Sequence, residues 1–193
     1  MDPDSPPDVV DQHGRTEPAE DLDIVDEDGR VIGQATRSAC HADPSLLHRA
    51  VHVFVFDPAG CIFLQRRSRT KLIQPGRWDT SVGGHVDRGE SWEEAARREM
   101  AEELGLVDIE PTLLHGYIWR SPVESELVRT YRCTHPGPFV LAPDEIEEGR
   151  FFSPKEIASL VGSGQLTPNL ERELELLGLL VPGAAAGPPS AQR

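Results

Sequence analysis

Three glutamates, Glu99, Glu102 and Glu103, fall in the stretch "SWEEAARREMAEELGL" (residues 91–106), and their type and spacing suit a hard cation. Ser91 with Glu94 makes a capping box and Gly105 supplies a C-terminal stop, so the pattern predicts a helix over 92–104. At about 100° per residue, Trp92, Ala95, Ala96, Met100 and Leu104 form an apolar arc. Glu99, Glu102 and Glu103 fall on roughly the same arc, whereas Glu93, Glu94 and Arg97 lie where solvated charge belongs. Carboxylates converging beside small apolar residues repel one another and lose hydration unless positive charge sits among them. Arg98 is adjacent, but one arginine does not balance three acids. A divalent cation with oxygen ligands does.

Read outward, residues 84–106 have the form G-x5-E-x7-R-E-U-x-E-E-x-G-U, with U apolar: Gly84, Glu90, Arg98, Glu99, Met100, Glu102, Glu103, Gly105 and Leu106. Seven fixed residue types at about 7% each coincide with a probability on the order of 10⁻⁸. The stretch resembles the Nudix box without a departure. The resemblance implies an α/β fold, the Nudix α/β/α sandwich with a mixed sheet. It also implies hydrolysis of a nucleoside diphosphate linked to another group. In that family's pattern Glu99, Glu102 and Glu103 ligate Mg²⁺ or Mn²⁺ with the carbonyl of Gly84, while Glu90 and Arg98 pair to hold the motif's loop against its helix. Such metals draw charge off the diphosphate and lower the pKa of a bound water. A further catalytic carboxylate comes from a loop before a late strand. "DEIEEGRFF" offers Glu145, Glu147 and Glu148, of which Glu148 is chosen by its spacing to Phe151.

A second resemblance lies in "CHADPSLLHRAVHVFVF", "QRRSRTKLIQPGRWDTSVGGH" and "VESEL", which look like type I isopentenyl-diphosphate isomerase. That family holds a metal with three His and two Glu, and the matching positions here are His41, His48, His85, Glu124 and Glu126. Such donors suit Zn²⁺, Mn²⁺ or Fe²⁺ better than Mg²⁺. Arg67 and Lys71 match residues that grip the diphosphate. Taken singly, the two His read as packing residues and the two Glu as hairpin caps. The departures weigh more: the isomerase's proton-transferring Cys falls at Gly83, and its C-terminal aromatic has no counterpart.

The elements that must position these residues follow from local patterns. "DIVDEDGRVIGQATR" reads as a hairpin around Asp28-Gly29, and "HRAVHVFVFDPAGCIFLQRR" as two strands joined at Asp57-Pro58-Ala59-Gly60. Further strands are expected at "LLHGYIW", "ELVRTYRCTH" and "GRFFS". Ser153-Pro154-Lys155-Glu156 starts one late helix, and Thr167-Pro168 starts another running to about Leu180. The chain divides into an acidic, disordered arm (1–22), one domain (23–181) and a low-complexity tail (182–193).

The formal net charge is −14, and residues 1–28 alone contribute eleven Asp/Glu against Arg15. That balance excludes a nucleic-acid polymer and an anionic membrane surface as partners. Three cysteines with no paired spacing argue against a disulfide framework, and no apolar run is long enough to span a bilayer or act as a signal. A cytoplasmic protein is the default.

Three readings of function remain. The first is a Nudix hydrolase acting on a small-molecule diphosphate, with the basic loop of Arg66, Arg67, Arg69, Lys71 and Arg77 suited to phosphate oxygens. The second is an isomerase-like enzyme acting on an isoprenoid diphosphate, and the third a non-catalytic ligand-binding module. The intact acid triad argues against the third, and Gly83 against isomerisation. Tyr117, Trp119 and Phe152 are candidates to stack on a base, with core packing as the commoner use of such residues. Dimers are common in the family, which leaves a homodimer open.

Overall fold

The computed structural model describes residues 21–71 and 73–179. The acidic arm up to residue 20 and the C-terminal tail lie outside the described residues. Two compact units emerge: one takes the described residues up to Val51, with Gly84–Ala95 and His115–Arg129; the other takes His52–Gly83, Ala96–Leu114 and Thr130 onward.

In the first unit, β1 (Asp21–Val25) and β2 (Val31–Thr36) form the expected antiparallel hairpin. Its turn closes through the Gly29 N–H on the Asp26 carbonyl, with Gly29 at φ 81°. Thr36 then caps a helix that sequence patterns do not announce, α1 (Arg37–Ala42), by accepting the Ala39 N–H. Ile24 of β1 pairs with His48 of β3 (Leu47–Phe56), and Leu22, Ile24 and Cys40 form a small core.

The second unit is built on β4 (Ile62–Arg67), which pairs antiparallel with the end of β3, with the two-residue β5 (Trp78–Asp79) and with β9 (Ile146–Phe152). The late strand begins three residues earlier than "GRFFS" suggests. Acid-rich "IEEG" reads as loop in isolation, but its register sets Glu148 opposite Arg66, so opposite charges support the pairing. β6 (Val82–His85) precedes α2 (Trp92–Leu104), whose bounds match the capping signals. β7 (Thr112–Arg120) pairs with β8 (Ser125–Thr134).

Helices α3 (Pro154–Leu160) and α4 (Pro168–Leu176) close the core, packing Ile157, Leu170 and Leu174 with Phe54, Leu64 and Phe152. Helix α4 stops at Leu176, short of the expected Leu180. Phe152 is 1% exposed, so this base-stacking candidate is a core residue. The elements make an α/β fold with a mixed sheet. No helix among the described residues is long and apolar enough to cross a membrane.

Candidate active site

Helix α2 buries Ala96, Met100 and Leu104, as its apolar arc requires, but the three acids are graded. The Glu103 residue is 5% exposed, the Glu99 side chain 12% and the Glu102 side chain 60%. Arg98 ties the outer two together, its Nη1 lying 2.7 Å from Glu99 Oε1 and 3.4 Å from Glu102 Oε2. Glu103 Oε2 accepts from Gln65 Nε2 at 2.8 Å, a neutral donor. Burial drives the Glu103 carboxyl well above the ordinary carboxylate range, the charges of Glu99 and Glu145 add to this, and Lys71 and Gln65 oppose it. A buried acid so short of positive charge fits a divalent cation, whose charge would reverse that penalty.

Around this helix the basic loop and the late strand form ion pairs. Arg66 Nη1 lies 3.0 Å from Glu148, Arg69 Nε 3.2 Å from Glu147, and Lys71 pairs with Glu145. Arg67 is committed elsewhere: Nη1 donates to Asp79 Oδ2 at 3.0 Å and Nε to the Ile73 carbonyl at 3.1 Å. Asp79 is buried and also accepts from Thr167 Oγ1 at 2.8 Å and from the Thr80 N–H. Arg77 donates to the Leu166 carbonyl.

One polar group of the second unit went unanticipated. Glu173 of α4 is fully buried, accepts from Thr130 Oγ1 and places Oε2 3.1 Å from His52 Nδ1. The His52 ring fills the space beside Gly83, where a Cβ would lie 3.1 Å from its Cδ2 and 3.5 Å from its Nε2.

In the first unit Gly84 lies in β6, and the loop after it is fastened by residues that local patterns also missed. Asp23 Oδ2 lies 3.0 Å from Arg49 Nη2 and 3.1 Å from the Gly89 N–H, and Arg49 Nη1 reaches the Glu90 carbonyl at 3.1 Å. The Glu90 carboxylate accepts the Asp87 N–H, and Trp92 packs beneath the guanidinium of Arg129. Chain-distant partners leave no local signal.

His41 of α1, His48 of β3 and His85 of β6 bring their ligand atoms within 4.8 Å of one another. Glu124 Oε2 stands 3.6 Å from His41 Nε2, and Glu126 Oε1 stands 3.9 Å from His48 Nε2 and 3.8 Å from His85 Nε2. His48 Nδ1 faces the Leu46 carbonyl at 3.3 Å, which presents Nε2 to the cluster. Burial, then the neighbouring His85, holds the His48 imidazole below its usual pKa, which favours the neutral form that a metal ligand needs. Five donors, four on α1, β3, β6 and β8 and Glu124 from the turn before β8, thus lie close together, and a transition metal fits this donor set.

Comparison with known proteins agrees with the box. A family described as the NUDIX domain matches residues 46–173. The chain is 38% identical over 159 residues to an uncharacterized Nudix hydrolase of Yersinia pestis, covering 80% of this chain and 84% of that one. It is also 46% identical over 117 residues to a Streptomyces griseus protein named isopentenyl-diphosphate Delta-isomerase, covering 61% of this chain and 52% of that one. The crystal structure of DR0079 from Deinococcus radiodurans superposes with a TM-score of 0.68 at 29% identity, covering 81% of this chain and 98% of that one. With the complete motif on its helix and a domain match over most of its length, this chain belongs to the Nudix hydrolase family.

Proposed function

We propose that this hydrolase cleaves the pyrophosphate bond of a nucleoside diphosphate linked to another group, or of a similar small diphosphate, with Mg²⁺ or Mn²⁺. The observation that carries the reading is Glu103, an acid held almost wholly inside the protein with a neutral amide as its donor. Glu99, Glu102 and Glu103 would hold the cation, which when bound withdraws charge from the diphosphate and acidifies a water. Gln65 fixes the orientation of the Glu103 carboxylate, and Arg98 keeps Glu99 and Glu102 on one side of α2. Glu148, the choice by spacing, supplies a carboxylate from β9, and Lys71 a cation for phosphate oxygens. Arg67 contributes by bracing the loop from which Lys71 projects, its guanidinium being engaged by Asp79 and the Ile73 carbonyl.

A second reading has one observation in its favour. The His41/His48/His85/Glu124/Glu126 cluster is a place for Zn²⁺, Mn²⁺ or Fe²⁺, and it matches the isomerase resemblance. On that reading the substrate is an isoprenoid diphosphate. Gly83, with no side chain to move a proton, favours hydrolysis over isomerisation.

The test is phosphate release with Mg²⁺ or Mn²⁺ across two panels, one of nucleoside diphosphate derivatives and dinucleotides, the other of isopentenyl, dimethylallyl and geranyl diphosphates. Turnover of the first is expected. Turnover of the second alone, or interconversion of its isomers, would transfer the assignment to the second reading.

A further inference from the structure

Of the glutamates on α4, Glu171, Glu173 and Glu175, the helix turns only Glu173 into the core, beside Leu170 and Leu174. An apolar residue would fill that place without losing hydration, and apolar replacement of a buried ion pair often leaves a protein as stable or more so. Stability therefore does not explain the acid. What the acid does is hold a ring. Thr130 Oγ1 donates to Glu173 Oε1, and Oε2 stands 3.1 Å from His52 Nδ1. Both carboxylate oxygens are thus used, and β8 and α4 together set one edge of the His52 imidazole.

The opposite edge of that ring rests on Gly83. A Cβ there would stand 3.1 Å from His52 Cδ2, 3.5 Å from Nε2 and 3.5 Å from Thr80 Oγ1. Neither Gly83 nor Gly84 has a positive φ, so backbone conformation does not call for glycine at either position. At Gly83 space does, because the ring takes it. The residues before it are fastened by their own side chains. Asp79 holds Arg67 and Thr167, Thr80 Oγ1 donates to the Val82 carbonyl at 3.2 Å, and Ser81 Oγ accepts the Val55 N–H at 2.8 Å and donates to the Phe63 carbonyl. Gly83 and Gly84 have no side chain to fasten. Pairing with β3 holds β6 along its edge, and a ring laid on Gly83 limits how far the strand can tilt out of the sheet.

We propose that His52, set by Glu173 and Thr130, is a positioning residue that fixes the Gly83–Gly84 backbone and with it the direction of the Gly84 carbonyl. This rests on the hydrolase reading, in which that carbonyl is a ligand of the divalent cation. His52 acts through Gly83 and not by contact with cation or substrate. The physical reason is tolerance: a ligand works only while it is held within about 0.5 Å of its working geometry. Groups standing behind metal ligands accordingly change affinity by about ten- to a hundredfold. A glycine pair has the widest backbone freedom of any dipeptide, so the constraint must come from a neighbour. Helix α4 thereby contributes to the metal site without supplying a ligand.

The experiment is an Mn²⁺ titration of the full chain by electron paramagnetic resonance, following the site that Glu103→Gln removes. His52→Leu/Glu173→Leu replaces the pair by apolar residues. Gly83→Ala keeps the pair but pushes the ring back by a few tenths of an ångström. Glu173→Gln keeps an acceptor for Thr130 and a hydrogen-bonding partner for His52. Each is checked by circular dichroism and by its melting temperature in chelator. The double variant is expected to melt no lower than wild type, yet to bind Mn²⁺ about tenfold more weakly, as is Gly83→Ala. Glu173→Gln recovers the affinity to within about threefold of wild type. Metal-free stability and metal affinity thus part company, which a role in packing alone does not produce. Wild-type affinity in Gly83→Ala or in the folded double variant would overturn the assignment, and so would a loss in Glu173→Gln as large as that in the double variant. If the double variant does not fold, Gly83→Ala decides alone. If Glu103→Gln removes no Mn²⁺ site at all, the hydrolase reading falls first and the positioning role with it.

Discussion

Asp23 and Arg49 join two strands through a buried ion pair, Oδ2 to Nη2 at 3.0 Å, and the same carboxylate oxygen takes the Gly89 N–H. This pair fastens the loop of the Nudix motif before the helix begins. Arg49→Met leaves Asp23 buried without its cation and frees the Glu90 carbonyl, so a loss of about 3–5 kcal/mol is expected. Urea denaturation measures it. A midpoint equal to wild type would remove Asp23 and Arg49 from the motif's support.

Glu103 sets stability against activity. Its folded pKa is raised above the ordinary value of 4.5, so its contribution to stability is complete below that value and is lost as pH rises through the folded one. Metal-free Glu103→Gln should therefore melt above wild type at neutral pH by roughly 2–4 °C, the shift about 1 kcal/mol produces in a domain this size. The two should converge below pH 4.5, and the variant should not turn over substrate. Calorimetry in chelator at several pH values checks the sign.

The cap of α3 has the opposite pH dependence. The Ser153 N–H, then the Ser153 hydroxyl and Arg150, hold the Glu156 carboxyl at about 2 against an ordinary 4.5. Its contribution is present above 4.5 and is lost as pH falls through about 2. The melting-temperature gap between wild type and Glu156→Gln should shrink across that interval. A constant gap would mean that the carboxylate's charge is not what caps the helix.

Gly149 leaves room for an aromatic ring. A Cβ there would overlap Phe63 Cζ and lie 2.9 Å from its Cε1, while Phe139 and Phe151 flank the same ring at centroid distances of 4.5 and 5.5 Å. Gly149→Ala is expected to cost about 1–3 kcal/mol through overpacking. Chemical denaturation reads this directly, and an unaffected variant would show that Phe63 can rotate away.

The histidine cluster predicts metal content. Purified protein should carry Zn²⁺, Mn²⁺ or Fe²⁺ by elemental analysis, and a His41→Ala/His48→Ala double variant should lose it while retaining the Glu103-dependent Mn²⁺ site. Equal content in both proteins would return the two histidines to packing roles.

The parts of the fold legible in the sequence were those specified by neighbours along the chain. Helix α2 keeps its expected bounds because Ser91, Glu94 and Gly105 mark its ends locally. The β1–β2 hairpin follows from Asp28-Gly29 in the same way. Helix α1 escaped notice because six residues carry no usable period, and only Thr36 marks its start. The extra residues of β9 escaped because acidic residues favour loops until a basic strand lies opposite. Within the site, residue identities were readable but commitments were not. Nothing in "QRRSRTK" separates Arg67, engaged by the buried Asp79, from Lys71, paired with Glu145 at the start of β9. His52, Thr130 and Glu173 come from distant parts of the chain and meet only after folding.

Gly83 and His52 occupy what amounts to a single side chain's volume. Position 83 is therefore not a vacant slot into which a thiol or hydroxyl can be installed by one substitution. A Cβ there must push the imidazole back by a few tenths of an ångström, and a larger group that drives it further takes the ring away from the buried Glu173 carboxylate. Conversion of this scaffold toward proton-transfer chemistry at residue 83 is thus a two-residue step at least. Through the intermediate the chain would carry either a clash or a buried acid facing emptied space, and relatives that differ at one of these positions are expected to differ at the other.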